Sequence, residues 1–230
     1  MTFINQILWV IYPYLCLGSF VFGTLIRFTR NKGSVTAKSS ELLEKKQLMI
    51  GSILFHIGIL LVLAGHVTGI LVPKSVTEYF GISNEMYHVF ALMMGGFAGF
   101  ITLIGIGILT FRRFTNARVF LSSSWSDLLI MIALCITITF GLMSSFIAGP
   151  MVPTYDYRDT LAVWARQLFY FSPDYRLMMG APLLFKIHVI CGLTIFGVFP
   201  YTRLVHALTI PLQYFQRRFI VYRRNRRLVD

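Results

Sequence analysis

The sequence predicts an all-α membrane protein, a bundle of five transmembrane helices with its N-terminus outside and its C-terminus in the cytoplasm. Three observations predict it. The 230-residue chain is 56% hydrophobic and only 13% charged, where soluble domains carry about 25% charge. Five apolar runs reach the roughly 20 residues that a helix needs to cross a bilayer. The basic residues gather in alternate connections, as the positive-inside rule requires of cytoplasmic loops. A net charge of +12 can signal nucleic-acid binding, but these bases form no groove-like set on a soluble fold. Lying between apolar runs, they suit anionic lipid head groups and no nucleic acid.

The first span runs from about Phe3 to Ile26 and lacks the basic start and small-residue cleavage site of a signal peptide. The loop after it holds Arg27, Arg30, Lys32, Lys38, Lys45 and Lys46 against Glu41 and Glu44. The second span runs from about Met49 to Val72, and the loop Pro73 to Glu85 is near neutral. The third, from about Met86 to Phe111, carries Gly95, Gly96, Gly99, Gly105 and Gly107, small surfaces that favour close helix packing. Arg112, Arg113 and Arg118 follow it. The fourth runs from about Leu128 to Ile147, and the fifth from about Pro182 to Leu204 with His206 at its end. The long fourth loop balances Arg158, Arg166 and Arg176 with Asp156, Asp159 and Asp174, and its Leu161 to Phe171 stretch predicts an amphipathic helix on the outer surface. The chain thus divides into a transmembrane domain, 1–210, and a basic cytoplasmic tail, 211–230. Cys16, Cys135 and Cys191 each lie in an apolar run, with no metal-site or iron–sulfur spacing, and read as small buried hydrophobes.

The histidines carry the chemistry. His56 and His66 lie on the second span, and His188 and His206 on the fifth. An ionisable group inside a membrane helix needs a partner and is a functional candidate. The two helices are antiparallel, so depth pairs His56 with His206 near the cytoplasm and His66 with His188 near the outside. Imidazoles facing each other from two helices suit the axial positions of a six-coordinate haem. Two such centres would conduct electrons across the bilayer. Straight helices leave the rises mismatched, about 15 Å against about 27 Å. Zinc fits less well, because no third or fourth ligand lies at the right depth. Histidines that pack by hydrogen bonding, or relay protons in a transporter, are the rival readings. Arg203 and Arg112 are candidates for haem propionates on the cytoplasmic side, and ordinary positive-inside residues otherwise.

At these residues the chain resembles the gamma subunit of respiratory nitrate reductase. The resemblance covers nearly the whole chain: IYPY (Ile11 to Tyr14), LFHIGIL, the GH at His66, the GG of the third span and FP-x-x-RLVH (Phe199 to His206). It implies a dihaem cytochrome b of the prokaryotic plasma membrane, working in anaerobic respiration and nitrate assimilation. The distal b-type haem would be held by His66 and His188, the proximal by His56 and His206. Quinol from the membrane pool would be oxidised near the outer haem, releasing protons outward. Electrons would pass to an iron–sulfur beta subunit and a molybdenum alpha subunit that reduces nitrate. Where one member of the family has a lysine near the quinol site, early in the third span, this chain has Tyr87, followed by His88, which would accept a proton from quinol or simply lie at the membrane interface. Together with His66, Gly65 and Gly69 they are expected around the quinol, and the tail to form part of the partner dock. A dihaem subunit of a sulfur-compound or heterodisulfide reductase would share this chemistry with a different acceptor.

Overall fold

A computed structural model describes residues 2–30, 35, 40–152 and 154–209. The basic tail, with the docking role expected of it, lies outside the described residues.

The architecture is all-α, with five helices long and apolar enough to cross a membrane: α1 (Thr2–Arg30), α2 (Lys46–Leu71), α4 (Asn84–Thr115), α6 (Trp125–Met151) and α9 (Leu183–Tyr201). Short helices lie in the connections: α3 (Lys74–Tyr79), α5 (Ala117–Leu121), α7 (Leu161–Phe169) and α8 (Arg176–Met179). Neighbouring spans follow the order α1, α9, α6, α4, α2. Large apolar side chains such as Phe22, Leu60, Phe97, Ile104 and Leu129 face outward, which a bilayer accommodates and water does not.

Close approach of α2 and α4 depends on glycine. A Cβ on Gly105 would strike the backbone of Phe55, and one on Gly58 the backbone of Thr102. Gly96 and Gly99 seat Phe146 and Leu142 of α6 in the same way, whereas Gly95 and Gly107 meet nothing. Small residues let membrane helices gain dispersion contacts where no hydrophobic force drives them together.

Loop four differs from the sequence reading in what covers its apolar face. Leu161, Ala162, Trp164 and Leu168 of α7 are buried, and the three large ones cluster with Trp9, Cys16, Met178 and Leu193. Trp164 Nε1 donates to the Trp9 carbonyl at 2.9 Å. That carbonyl lies within a π-helical turn, Ile7–Ile11, where widened backbone frees acceptors from the regular ladder.

The fifth span also differs from a straight helix over 182–204. Its α-helix stops at Val198, a 3-10 turn follows over Phe199–Tyr201, Thr202 is extended (φ −115°, ψ 179°), and a second 3-10 turn runs over Arg203–Leu208. Pro200 brings no N–H to continue the ladder and disfavours helix at the residue before it. Thr202 caps the new turn by accepting the Leu204 N–H. The three cysteines are free, Cys16 buried and the other two partly so.

Candidate functional site

The break in α9 determines how the histidines meet. Ring centroids of His56 and His206 lie 6.1 Å apart, and those of His66 and His188 5.9 Å apart. Both pairs meet despite the rise mismatch expected of straight helices, and the chain leaves α-helical geometry between His188 and His206. All four rings are held alike: His56 Nδ1 meets the Ser52 carbonyl at 2.7 Å, His66 Nδ1 that of Val62 at 2.8 Å, His188 Nδ1 that of Thr137 at 2.9 Å, and His206 Nδ1 that of Arg203. A carbonyl only accepts, so each Nδ1 carries the proton and each Nε2 is left with a lone pair. That is the tautomer and anchoring a metal-ligating imidazole needs.

The spacing fits a shared ion. With metal–nitrogen bonds of about 2 Å, two imidazoles on opposite sides of one metal have centroids about 6 Å apart. Among the described residues no group of three or more His, Cys, Asp or Glu gathers to hold a metal. Two imidazoles are an incomplete shell for a bare ion but a complete axial pair for a macrocycle that supplies four nitrogens. α2 leans on α4, and α9 on α1 and α6, without extensive packing between α2 and α9. Only 11% and 6% of their most apolar stretches is buried, against 33% for α4. On the far side of His188, Gly141 admits the ring: a Cβ there would lie 2.8 Å from Cε1.

Beside His66 and His188, at the loop-four end, Tyr87, His88 and Tyr157 form an aromatic group. The Tyr157 hydroxyl donates to that of Tyr87 at 3.5 Å, and His88 meets the Tyr157 ring edge-on at 5.8 Å. A Cβ on Gly69, one turn beyond His66, would sit 3.2 Å from both hydroxyls. Gly65 meets no such neighbour. His88 Nε2 lies 3.4 Å from Asp156 Oδ1. Asp156 also takes Asn84 at 2.9 Å, Lys74 at 3.4 Å and the Arg158 N–H at 2.8 Å. Burial pushes the Asp156 carboxyl up, but the hydrogen bonds from Arg158, Asn84 and His88 outweigh it and hold the group below the usual carboxylate range. Burial drives the Tyr157 phenol well above its usual range, so it remains a donor.

Sequence reasoning missed Asp156 and Arg158, which read as two of several balanced loop charges. Arg158 is only 2% exposed, with its Cζ 3.8 Å from the centre of the Tyr87 ring. Its Nη2 bonds Thr77 Oγ1 at 2.9 Å, while Nε and Nη1 have no hydrogen-bond partner among the described residues. No sequence signal marks this burial.

At the other end, Arg112 is held by protein groups. Its Nε meets Glu44 at 2.6 Å, and its other nitrogens meet Ser40 Oγ and the carbonyls of Ser40 and Glu44. At 1% exposure it holds the segment before α2 onto α4. Arg203 Nε lies 3.0 Å from Asp127 Oδ1.

Comparison with known proteins gives one answer. The family model of the nitrate reductase gamma subunit matches residues 5–225. The chain is 43% identical to the nitrate reductase gamma chain of Bacillus subtilis, over 96% of this chain and 99% of that one. It is 35% identical to the respiratory nitrate reductase 2 gamma chain of Escherichia coli, over 97% and 99%. It is 37% identical to the nitrate reductase-like protein NarX of Mycobacterium tuberculosis, covering 98% of this chain but 35% of that protein.

Proposed function

This chain belongs to the nitrate reductase gamma subunit family, a multi-pass membrane subunit of the bacterial plasma membrane, and we propose that it is the quinol-oxidising, dihaem b electron-transfer subunit of a respiratory nitrate reductase. The observation that carries this reading is the meeting of four imidazoles in two cross-helix pairs, each ring anchored through Nδ1. In this reading His66 and His188 hold the outer haem, and His56 and His206 the inner. Bound there, a b-type haem would supply one-electron redox chemistry.

The chain's own residues bind quinol and handle its protons. Quinol sits at the outer end among His66, Gly65, Gly69, Tyr87 and His88. Oxidation of one quinol yields one quinone, two electrons and two protons. His88 accepts a proton from the substrate hydroxyl at one ring nitrogen and gives one up at Nε2 to Asp156 Oδ1, 3.4 Å away. Lys74, 3.4 Å from its Oδ2, and Asn84 hold that carboxylate at the mouth, where protons leave to the outer aqueous phase. Electrons leave at the opposite end, to an iron–sulfur beta subunit and then a molybdenum alpha subunit where nitrate is reduced. The positive-inside pattern, with Arg112, Arg113 and Arg118 at that end, supports its facing the cytoplasm. The basic tail 211–230 would contribute to the dock for the iron–sulfur subunit or lie against anionic lipid head groups.

The test is a reduced-minus-oxidised spectrum of the purified subunit with haem quantified per chain. Two b-type haems are expected, and none in folded protein would refute the reading. In the intact complex in oriented vesicles, quinol oxidation should release protons outward, and cytoplasmic release would reverse the assigned orientation.

A further inference from the structure

The segment that carries His206 is weakly built in itself. A 3-10 turn has poorer hydrogen bonds than an α-helix and rarely persists beyond a few residues. Arg203–Leu208 also follows an extended residue, so the helix above does not transmit its rigidity to His206. Yet the ring stands 6.1 Å from His56. Two charged residues on other spans hold the segment there.

From α1, Arg27 Nη1 donates to the carbonyls of Pro200 and Thr202. These are acceptors at the break, and Nη1 bridges both. Gly23, one turn earlier, makes the approach possible, since a Cβ there would lie 2.7 Å from Pro200 Cγ. From α6, Asp127 Oδ1 lies 3.0 Å from Arg203 Nε. The Arg203 carbonyl accepts the proton on His206 Nδ1. Whatever fixes Arg203 therefore fixes the plane and direction of the imidazole. Asp127 is itself anchored: it forms a capping box with Ser124 at the start of α6, and Arg113 Nη1 of α4 stands 3.8 Å from its second oxygen. One half-buried carboxylate thus separates two guanidinium groups.

We infer that Arg27 and Asp127 are positioning residues for His206, a two-sided clamp from α1 and α6 that sets the imidazole opposite His56. The inference rests on the dihaem reading above. Arg27 fixes the backbone at the break, and Asp127 fixes the residue whose carbonyl orients the ring. Removing the Asp127 charge leaves Arg113 and Arg203 facing each other as like charges, and Arg203 is the one on the less regular backbone. The outer pair has no such dependence, because His66 and His188 both lie within or at the end of regular helix and bond carbonyls of α2 and α6.

The experiment uses the full chain in native membranes. Asp127→Asn keeps the size and an oxygen for the Ser124 cap but removes the charge. Haem per chain is quantified, and the low-spin ferric signals are recorded by electron paramagnetic resonance, whose highest g value reports the relative orientation of two axial imidazoles. A His66→Ala reference, stripped of the outer centre, marks the inner signal. Asp127→Asn should weaken retention of the inner haem about 10- to 100-fold, as loss of an orienting partner does at metal sites. Haem retained at the inner site should show a displaced g value, the outer signal should stay unchanged, and Asp127→Glu should restore the inner centre. Two haems per chain with an unchanged inner signal would overturn the clamp. So would equal loss of both centres, which marks general misfolding. If Asp127→Asn fails to accumulate, Arg27→Lys, which cannot present the guanidinium fork, carries the same expectation, and an unchanged inner signal there overturns the inference. A wild-type chain without haem would instead refute the dihaem reading itself.

Discussion

Gly141→Ala tests whether His188 is held as a ligand or merely packed. The added Cβ would lie 2.8 Å from His188 Cε1 and 3.1 Å from Nδ1, where ordinary contact begins at 3.4 Å, so the ring must move by 3.4 − 2.8, or 0.6 Å. A free side chain would swing aside cheaply. This ring is pinned by its 2.9 Å bond to the Thr137 carbonyl, one turn before Gly141 on the same helix, and moving it strains or breaks that bond. The stability terms nearly cancel. Alanine gains about 1 kcal/mol over glycine within a helix, and a lost neutral hydrogen bond costs about 0.5–1.5 kcal/mol. Thermal unfolding in detergent should therefore hardly change. Outer-haem retention should fall about 10- to 100-fold, because the displaced ring no longer aims its Nε2. The assay is haem per chain with a reduced-minus-oxidised spectrum, beside the melting curve. A full haem complement with an unaltered spectrum would refute the reasoning. A large loss of stability would refute the cancellation.

Other perturbations probe the rest of the molecule. Arg112→Met should lower the melting temperature and loosen the segment before α2, because it removes the contacts to Glu44 and the carbonyls of Ser40 and Glu44; limited proteolysis should then cut near Ser40 to Glu44, and an unchanged digestion pattern would argue against the anchor. Trp164→Phe leaves the Trp9 carbonyl unmet and should cost about 1–3 kcal/mol, read as a lower melting temperature with intact haem. Arg158→Gln should change stability little, since two guanidinium nitrogens bond nothing among the described residues and a buried charge is costly; a drop above about 2 kcal/mol would reveal an unrecognised partner. Asp156 titrates below the usual carboxylate range, so its contribution is complete above the unfolded value of about 3.9 and is lost as pH falls through the lower folded value. Melting temperature should therefore drop below about pH 4 in the wild type, less steeply in Asp156→Asn; equal slopes would remove Asp156 from the outer network.

Composition and apolar run length were sufficient to define five spans, because the bilayer leaves a chain of this hydropathy few options. Span order was sufficient to group His56 with His206 and His66 with His188 by depth, since it makes the two helices antiparallel, although helical rise alone left the pairs mismatched. Loop charge gave an orientation but no partners. Arg112 belongs by sequence to a cytoplasmic cluster; only the fold brings Glu44 and Ser40 from 68 and 72 residues away to surround it. Asp127 is by sequence an acid at a helix start, and becomes a counter-ion for Arg203 only where α6 meets the broken end of α9. Arg158 reads as a loop charge, and its burial over Tyr87 depends on where loop four comes to rest. Local sequence contains Pro200 and so a reason for a break, but the direction of the chain after it is set by Arg27 and Asp127, which lie on other helices. Spans and depths follow from solvent partition along a single helix. Ring orientation and charge pairing follow from contacts among helices distant in sequence, and those only the tertiary structure decided.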